Sequence, residues 1–412
     1  MAALSLRDAR ARVLACCRTT LAAEVVPLAA AHGRHLAEDV ASTGPWPATD
    51  RSAMDGFAVA AGANGLAAGT PCEVVGESLA GKPFVGVLAP GRAIRIMTGA
   101  VVPPGADAVV PVENTNGFAA NPVTLSTDVR RGQNVRPMGS ELASGARVLA
   151  IGDRLGAAAI GVLAVLGRAN VRVGKRPVVA IVATGDEVVP VEATPLPHQV
   201  RESNSWALAA QVHECGGEAR RLGIAPDEPN ALRAMLQRGL EQSDVLVTIG
   251  GISKGTHDLV HDTLALLSVK TEFHGIDLKP GKPTFFGTRD VAAGARFVFG
   301  LPGNPASSFT VFDLLVRPLL VKLCGGDAGE WTAAAHAGGA PWHKNARLQA
   351  IPVRHRVSAN GELVAELAAP SPSGDPFGLL RTDGYGLVPG NTPFAKDTTL
   401  PIAGGSGGIT LP

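Results

Sequence analysis

Runs of consecutive apolar residues mark the middle of the chain. Three of them are rich in valine, isoleucine or phenylalanine: VVAIVA (178–183), DVLVTIGG (244–251) and FVFGLPGNP (297–305). Such runs are typical of strands that are buried on both faces of a parallel sheet. Between and after them, apolar residues recur every three or four positions, which predicts helices at 204–215, about 229–241, 257–267 and 309–323. Alternating strands and helices predict a doubly wound parallel sheet with helices on both faces.

The two ends of the chain follow other patterns. Residues 4–18 predict a helix that Ser5 caps, with Asp8 as its capping-box partner. From Gly44 to about Asn134, short apolar runs such as AVVPV (108–112) are separated by glycine and proline, which predicts a β-rich module. A further helix is predicted at 155–167, and the glycine- and proline-rich end of the chain predicts a small β module.

Composition and charge exclude several classes of protein. With 37 basic and 36 acidic residues the formal net charge is +1, and 46% of the residues are hydrophobic. The chain is therefore neither a disordered polyelectrolyte nor a dedicated nucleic-acid binder. Five cysteines without a CxxC pair disfavour a zinc knuckle and a disulfide framework. The longest apolar stretch, 155–167, is shorter than the about 20 residues of a bilayer span, and no signal peptide is evident. We expect a soluble, cytoplasmic protein with no nucleic-acid or membrane partner.

The three predicted strands end in loops that contain glycine: TGDE (184–187), GGISKGTHD (250–258) and LPGNP (301–305). Ligands of open parallel sheets bind beyond the carboxyl ends of the strands, where glycines let backbone amides approach an anion. Asp186, Glu187 and Asp258 on these loops would repel a phosphate unless a divalent cation intervenes, and Mg²⁺ typically takes one or two carboxylates with phosphate oxygens. The alternatives are helix capping for the acids and tight turns without a ligand for the glycines.

Three further motifs carry polar residues at turns. KPGKP (279–283) places Lys279 and Lys282 around a Pro-Gly turn, which suits either a polyanion or a solvated turn. SAMDG (52–56) and RIMTG (95–99) place Asp55 and Thr98 before a glycine at the end of an apolar run. These two residues face a cleft or cap turns, and the local sequence does not decide between the two.

Together these motifs resemble those of the molybdopterin molybdenumtransferase family, whose members insert molybdenum in the last step of molybdenum-cofactor synthesis and are related to the gephyrin C-terminal domain. The motifs occur in the family's order from about residue 47 to 318, whereas the C-terminal module agrees only in length and β texture. The matching stretches are PATDRSAMDGFAV (47–59), RIMTGAVVPPGADAVVPVEN (95–114), NVRPMGSELASG (134–145), VVAIVATGDEVV (178–189), TIGGISKGTHD (248–258), LKPGKPTFFG (278–287) and GLPGNPASS (300–308).

The resemblance implies a multidomain α/β plus β fold. It comprises a doubly wound parallel-sheet molybdopterin-binding domain, an inserted β-rich domain, a helical linker region and a C-terminal small β-barrel. The resemblance also implies a homodimer whose cleft combines the SAMDG-bearing domain of one chain with the α/β domain of the other. We place the helical linker region at 1–44 and 143–174, the inserted β-rich domain at 45–142, the α/β domain at 175–327 and the β-barrel at 328–412.

The family's reaction takes adenylylated molybdopterin and molybdate, cleaves the adenylate phosphoanhydride with Mg²⁺, and yields molybdenum cofactor and AMP. The resemblance therefore implies Mg²⁺ as cofactor, with a molybdopterin adenylyltransferase and apo-molybdoenzymes as partners. Catalysis would rest on the metal and on charge stabilisation, without a covalent intermediate on a side chain.

Carried over residue by residue, the resemblance implies catalytic roles for Asp55, Thr98, Glu187, Asp258 and Lys279, with Mg²⁺ held by Glu187 and Asp258. Two departures from the family bear on molybdate binding: Gly139-Ser140-Glu141 has one acid fewer than many relatives, and Gly275 replaces a basic residue of some relatives. The residues implied in substrate binding are Arg136, Thr184, Gly185, Asp186, Asp227, Gly250, Gly251, Ser253, Lys282, Pro302, Asn304 and Pro305.

Two other functions stay open at this point. A non-catalytic relative would bind molybdopterin or cluster a partner protein, but it would need none of Asp55, Glu187, Asp258 and Lys279. A different nucleotide hydrolase would share only the α/β domain, and the SAMDG and RIMTG segments lie outside that domain. Use of tungstate is a variant of the transferase hypothesis, because tungstate and molybdate have nearly the same size and charge.

Overall fold

The computed structural model describes residues 3–252, 259–292, 294–329, 334–339, 341–367, 372–393, 395 and 398–403. The chain divides into two compact units. One unit is formed by Met1–Glu38 and Ile151–Pro412, and the other by Asp39–Ala150, which is inserted into the first along the sequence. The single-residue domain boundaries given above stay predictions.

Helices in the described residues are mostly short. Ser5 caps the first of them as predicted: its Oγ accepts the Asp8 N–H at 3.1 Å and donates to the Asp8 carboxylate at 2.7 Å. Short 3-10 turns occupy Leu28–Ala30, Val112–Asn114 and Phe377–Arg381, and a π-helical turn occupies Phe312–Val316. The α-helices are α1 (Leu6–Cys16), α2 (Ala157–Val165), α3 (Asn204–Glu214), α4 (Pro229–Gln242), α5 (Leu259–Leu266), α6 (Pro305–Val311) and α7 (Arg317–Leu323).

In the part of the chain that the structure describes, the strands form two six-stranded sheets, one five-stranded sheet and several short pairs. They are β1 (Ala23–Pro27), β2 (Val40–Ala41), β3 (Arg51–Ser52), β4 (Gly56–Val59), β5 (Pro71–Ser78), β6 (Arg92–Ile96), β7 (Ala108–Pro111), β8 (Val123–Thr124), β9 (Val135–Arg136), β10 (Arg147–Leu149), β11 (Asn170–Gly174), β12 (Val178–Thr184), β13 (Val188–Val189), β14 (Val200–Arg201), β15 (Glu218–Ala225), β16 (Val245–Ile249), β17 (Lys270–His274), β18 (Leu278–Lys279), β19 (Phe285–Val291), β20 (Gly294–Leu301), β21 (Ala334–Gly339), β22 (Leu348–Val357), β23 (Leu363–Leu367), β24 (Gly384–Val388) and β25 (Thr399–Ala403).

The inserted unit is built on a five-stranded sheet with the order β7-β4-β6-β5-β8. Strand β4 is buried along its whole length. Its side chains alternate between two apolar cores, with Phe57 and Val59 in one and Ala58 in the other. Strands β3 and β9 pair so that Ser52 lies opposite Val135. The predicted β-rich module is therefore confirmed.

The central sheet of the larger unit has the order β15-β12-β16-β20-β19-β17. The first four strands are parallel, and their side chains alternate between two cores: Val179 and Ile181 of β12 pack with α1, α3, α6 and α7, whereas Ala180 and Val182 pack with α4 and α5. Helices thus cover both faces, as predicted. Strands β19 and β17 are antiparallel, which the sequence analysis did not predict. The connection from β19 to β20, residues 292–293, is too short for a parallel crossover.

The C-terminal strands close into a small barrel, which confirms the predicted fold of this module. The sheet order is β18-β22-β23-β21-β25-β24, and a further pairing of β22 with β24 closes five of these strands into a ring. Strand β18 lies outside the ring and pairs with β22, so that Leu278 faces Leu348 and Lys279 faces Gln349. This pairing attaches the KPGKP loop to the barrel. Among the described residues, no helix has the length and apolar character that crossing a bilayer requires.

Candidate active site

The carboxyl ends of the parallel strands bring the three predicted loops together. Strand β12 ends at Thr184, whose hydroxyl donates to the Ile249 carbonyl at 3.1 Å. The amide of Gly250, which follows β16, donates to the Leu301 carbonyl at the end of β20 at 2.9 Å. The loops after β12, β16 and β20 therefore start at one edge of the sheet, where α/β proteins bind their ligands.

Glycine is required at the start of the loop after β16. Gly250 and Gly251 have φ values of 86° and 64°, in the left-handed region that side chains disfavour. A Cβ on Gly250 would lie 2.9 Å from the Thr184 carbonyl oxygen and 3.0 Å from its hydroxyl oxygen. Backbone therefore packs directly on backbone at this edge. Ser253 and Asp258, which were predicted on the same loop, lie outside the described residues.

Three carboxylates gather beside these loops. The Asp227 amide donates to the Asp186 carboxylate at 3.3 Å, which links the end of β15 to the loop after β12. Burial raises the pKa of the Asp227 carboxyl, and the negative charges of Asp186 and Glu187 raise it further. The described residues contain no group of three or more histidine, cysteine or acidic side chains arranged to hold a metal. The carboxylates thus repel one another without forming a complete metal-binding site.

Gly185 connects Thr184 to this acidic cluster. Its φ is 129°, and a Cβ placed on it would lie 2.6 Å from one Glu187 carboxylate oxygen. The glycine therefore lets the Glu187 side chain fold back toward the end of β12. Sequence analysis predicted Gly185, Asp186, Glu187 and Asp227 separately, and the structure brings them together.

A cavity of about 560 Å³ lies where the KPGKP and LPGNP loops face the C-terminal barrel. Lys279, Lys282 and Arg347 line it, and none of the described lining residues is acidic. Arg347 also donates through Nη1 to the Leu278 carbonyl at 3.0 Å, which fixes it beside the KPGKP loop. Three cationic side chains without a carboxylate form an environment for an anion.

Polar groups from the LPGNP loop complete one wall of the cavity. Asn304 begins α6, with Pro305 at its first position, and its side-chain amide donates to the Ser373 hydroxyl at 2.9 Å. The Asn204 amide donates to the Gly303 carbonyl at 2.7 Å and ties the loop to α3. Pro302 and Asn304 line the cavity. The LPGNP loop thus contributes both to the sheet edge and to the cavity.

The barrel residues of this cavity were not predicted. His343, Arg347, Gln349 and Ser373 line it together with the lysines. They are placed there by the pairing of Lys279 with Gln349, two residues that lie 70 positions apart in the sequence. The flanking sequence HKNAR (343–347) is typical of a solvated turn, so no local signal marks it as part of a site.

The inserted unit carries Asp55, Thr98 and Arg136. The Asp55 carboxylate accepts the Thr98 amide at 2.6 Å and the Thr98 hydroxyl at 2.7 Å. The backbone hydrogen bond, and then the hydroxyl, lower the pKa of Asp55, which keeps this exposed carboxylate negative at neutral pH. Arg136 forms an ion pair with Glu141 at 2.6 Å. The structure brings Asp55 and Thr98 together, while the guanidinium of Arg136 is engaged by an exposed acid.

Comparisons with known proteins match almost the whole chain. Two family models match it: the MoeA N-terminal region (domain I and II) over residues 4–167, and the probable molybdopterin binding domain over residues 180–322. A molybdopterin molybdenumtransferase of Nostoc sp. is 39% identical over 75% of this chain and 71% of its own length. Gephyrin of Dictyostelium discoideum is 33% identical over 73% of this chain and 47% of its own length. The crystal structure of the molybdopterin biosynthesis moeA protein from Pyrococcus horikoshii OT3 has a TM-score of 0.80 at 26% identity, covering 98% of this chain and 100% of that one.

Proposed function

The chain belongs to the molybdopterin molybdenumtransferase family, and we propose that it carries out the complete insertion reaction. In this reaction adenylylated molybdopterin and molybdate bind together, the adenylate phosphoanhydride is cleaved with the help of Mg²⁺, and molybdenum cofactor and AMP are released. The observation that carries the proposal is the basic cavity beside the carboxyl edge of the sheet. A nucleotide hydrolase that shares only the α/β domain is disfavoured, since the family models also match residues 4–167.

The basic cavity supports binding of an oxyanion. Lys279, Lys282 and Arg347 supply positive charge from two directions, and no described acidic residue lines the cavity. Asn304 and Ser307 on the α/β side and Ser373 on the barrel side add hydrogen-bonding groups to the cavity. A tetrahedral oxyanion such as molybdate or tungstate accepts several hydrogen bonds at once, which matches this mixture of ammonium, guanidinium, amide and hydroxyl groups. A cavity of about 560 Å³ also leaves room for part of a larger substrate.

The carboxylates of the loop after β12 support Mg²⁺ binding. Their oxygens are the ligands that this hard cation prefers. Burial raises the pKa of Asp227 most, and the charges of Asp186 and Glu187 raise it further, so a bound cation would offset part of this repulsion. Mg²⁺ keeps several waters and needs only one or two carboxylates beside phosphate oxygens. We therefore propose Glu187 as a ligand, with Asp258 as the second. Bound there, Mg²⁺ would offset the charge of the phosphoanhydride during its cleavage.

Helix α2 supports a homodimer. All nine of its residues are apolar or glycine, yet only Leu163 is buried. Val165 is 57% exposed, and Val25 of β1 is 68% exposed. An apolar helix that its own chain leaves uncovered is typical of an interface. We propose that a second copy covers it, and that Asp55, Thr98 and Arg136 of one copy serve the α/β domain of the other.

The decisive experiment is AMP release by the purified protein. Adenylylated molybdopterin, Mg²⁺ and molybdate are supplied, and AMP is measured with and without molybdate. Glu187→Ala, Asp258→Ala and Lys282→Gln are tested beside Lys175→Gln, which changes an exposed lysine just before the amino end of β12. We expect molybdate-dependent release that the first three substitutions reduce at least tenfold and the control leaves unchanged.

Three other outcomes would revise the proposal. Tight binding of molybdopterin without AMP release would identify a non-catalytic relative, as considered from the sequence. AMP release that ignores molybdate but responds to tungstate would identify the other oxyanion as substrate. Hydrolysis of unrelated nucleotides at similar rates would refute the transferase function. The adenylyltransferase and apo-molybdoenzyme partners, and the cytoplasmic location, stay predictions from the sequence.

A further inference from the structure

A buried ionic cluster lies behind the basic cavity. Asp313, 2% exposed, belongs to the π-helical turn between α6 and α7. Its Oδ1 accepts Arg317 Nε at 2.9 Å and pairs with Arg317 Nη2 at 2.7 Å. Its Oδ2 accepts the hydroxyl of Tyr385, which is completely buried, at 3.2 Å. Arg317 also reaches the Glu214 carboxylate at 3.2 Å. Both oxygens of the buried carboxylate are thus satisfied, one of them by a residue of the barrel.

This cluster links the two walls of the cavity. On the α/β side, Thr310 lines the cavity and precedes Asp313 by one helical turn. On the barrel side, Tyr385 of β24 pairs with Pro352 of β22, which also lines the cavity. Strand β22 carries Gln349 on the same wall. The hydrogen bond from Tyr385 to Asp313 therefore joins the two walls directly behind their lining residues.

Apolar packing alone does not fix the distance between these walls. Ala350, Tyr385, Leu387 and Ala403 of the barrel pack in the same hydrophobic core as α6, the π-helical turn and α7. Apolar contacts are non-directional and tolerate small sliding movements, whereas a hydrogen bond to a carboxylate fixes distance and angle. Burial raises the pKa of the Tyr385 phenol well above its ordinary value, so the hydroxyl remains a donor at every working pH. π-helical turns are also frequent beside functional sites.

We propose that Tyr385 and Asp313 are positioning residues: their hydrogen bond holds the barrel wall, with Arg347 and Gln349, at the separation from α6 that oxyanion binding needs. This inference rests on the proposed function, because it takes the cavity as the molybdate site. Neither residue touches the substrate in this arrangement. Their effect reaches the oxyanion through the wall that they hold.

The test compares Tyr385→Phe with a matched control. Tyr385→Phe removes one buried hydroxyl and keeps the ring. Ser243→Ala removes another buried hydroxyl, which donates to the Gly239 carbonyl at 2.6 Å just before the amino end of β16, far along the strand from the cavity. Asp313→Asn, which keeps the shape of the side chain, is the second variant. The dissociation constant of molybdate is measured by equilibrium dialysis, and KM and kcat are measured by AMP release.

We expect Tyr385→Phe to raise both the dissociation constant and the KM of molybdate on the order of fivefold to tenfold, with kcat within about twofold of the parent protein. Asp313→Asn changes them in the same direction, and Ser243→Ala lowers the melting temperature without changing either. Unchanged molybdate affinity in Tyr385→Phe, with normal turnover by the parent protein, overturns this inference alone. An equal rise in the dissociation constant and KM of molybdate in Ser243→Ala shows a general structural effect and also overturns this inference. A parent protein that binds no molybdate overturns the proposed function as well.

Discussion

Replacing Gly250 by alanine tests whether the close packing at the sheet edge is what shapes the site. Gly250 has a φ of 86°, and its added Cβ would lie 2.9 Å from the Thr184 carbonyl oxygen. A left-handed alanine costs roughly 1–2 kcal/mol. The overlap adds to this, because Thr184 is buried at the end of β12 and cannot move away freely. Overpacking of this kind typically costs about 1–3 kcal/mol.

Gly167 provides the matched control. Its φ is 71°, and a Cβ built on it meets no atom within 4 Å. Gly167→Ala therefore carries the backbone strain without the overlap, and we expect it to lower the free energy of unfolding by roughly 1–2 kcal/mol. For Gly250→Ala we expect about 2–5 kcal/mol, the strain and the overlap together. Urea midpoints, compared at equal slope, give the difference.

The activity of the two variants separates structure from function. The alanine must push the loop after β16 away from Thr184, and a displacement of about 1 Å at a reacting centre can cost on the order of 100-fold in rate. We expect molybdate-dependent AMP release to fall at least about tenfold in Gly250→Ala and to stay within about twofold in Gly167→Ala. Equal urea midpoints for Gly250→Ala and Gly167→Ala would refute the packing argument. Full activity in a destabilised Gly250→Ala would show that this loop is not part of the site.

Three further predictions concern charge and assembly. Thr98→Val removes the hydroxyl but keeps the backbone N–H, which lowers the pKa of Asp55 most, so this pKa rises while staying below its ordinary value, as a ¹³C NMR titration measures. The stability that Asp55 contributes above its unfolded-state pKa is then lost at a higher pH as the solution is acidified. An unchanged titration contradicts the assignment. We expect Glu187→Gln to lower the pKa of Asp227, and we expect added Mg²⁺ to lower it in the parent protein; a Mg²⁺-independent titration argues against the proposed metal site. If α2 forms the proposed dimer interface, we expect Val165→Asp to sediment as a monomer in sedimentation velocity, whereas a variant that still dimerises would place the interface elsewhere.

The sequence was sufficient to predict strands that contain a long, fully buried apolar run. Strands β12, β16 and β20 are apolar on both faces, and that pattern has no other common explanation. The antiparallel edge was missed for a physical reason. Strand β17, KTEFH (270–274), is mostly polar and only partly buried, so its pattern does not stand out from a loop. The first three residues of strand β19 are buried, but in the sequence they are the last residues of LKPGKPTFFG (278–287), and no strand was predicted there.

The candidate site likewise contains residues that the sequence predicts and residues that it does not. The loops after β12, β16 and β20 were predicted because parallel strands carry their ligands at one known edge. Arg347 and His343 were not predicted, since they reach the cavity only through the pairing of β18 with β22. Such a pairing depends on how the barrel folds back on the α/β domain. No residue type or spacing near Arg347 indicates this pairing.

Strand order explains how one edge can hold both kinds of charge. The carboxylates follow β15 and β12, whereas the lysines and Arg347 lie beyond β20, and β16 separates the two groups. Neighbouring strands are about 4.8 Å apart, so the ends of β12 and β20 lie roughly 10 Å from each other. At that separation, a cation bound to the carboxylates and an oxyanion bound to the lysines would occupy separate positions. Gly250 and Gly251, the first two residues after β16, add no side chain of their own to this space. A substrate that joins a phosphoanhydride to a metal-accepting group can therefore contact both ends of this edge at once.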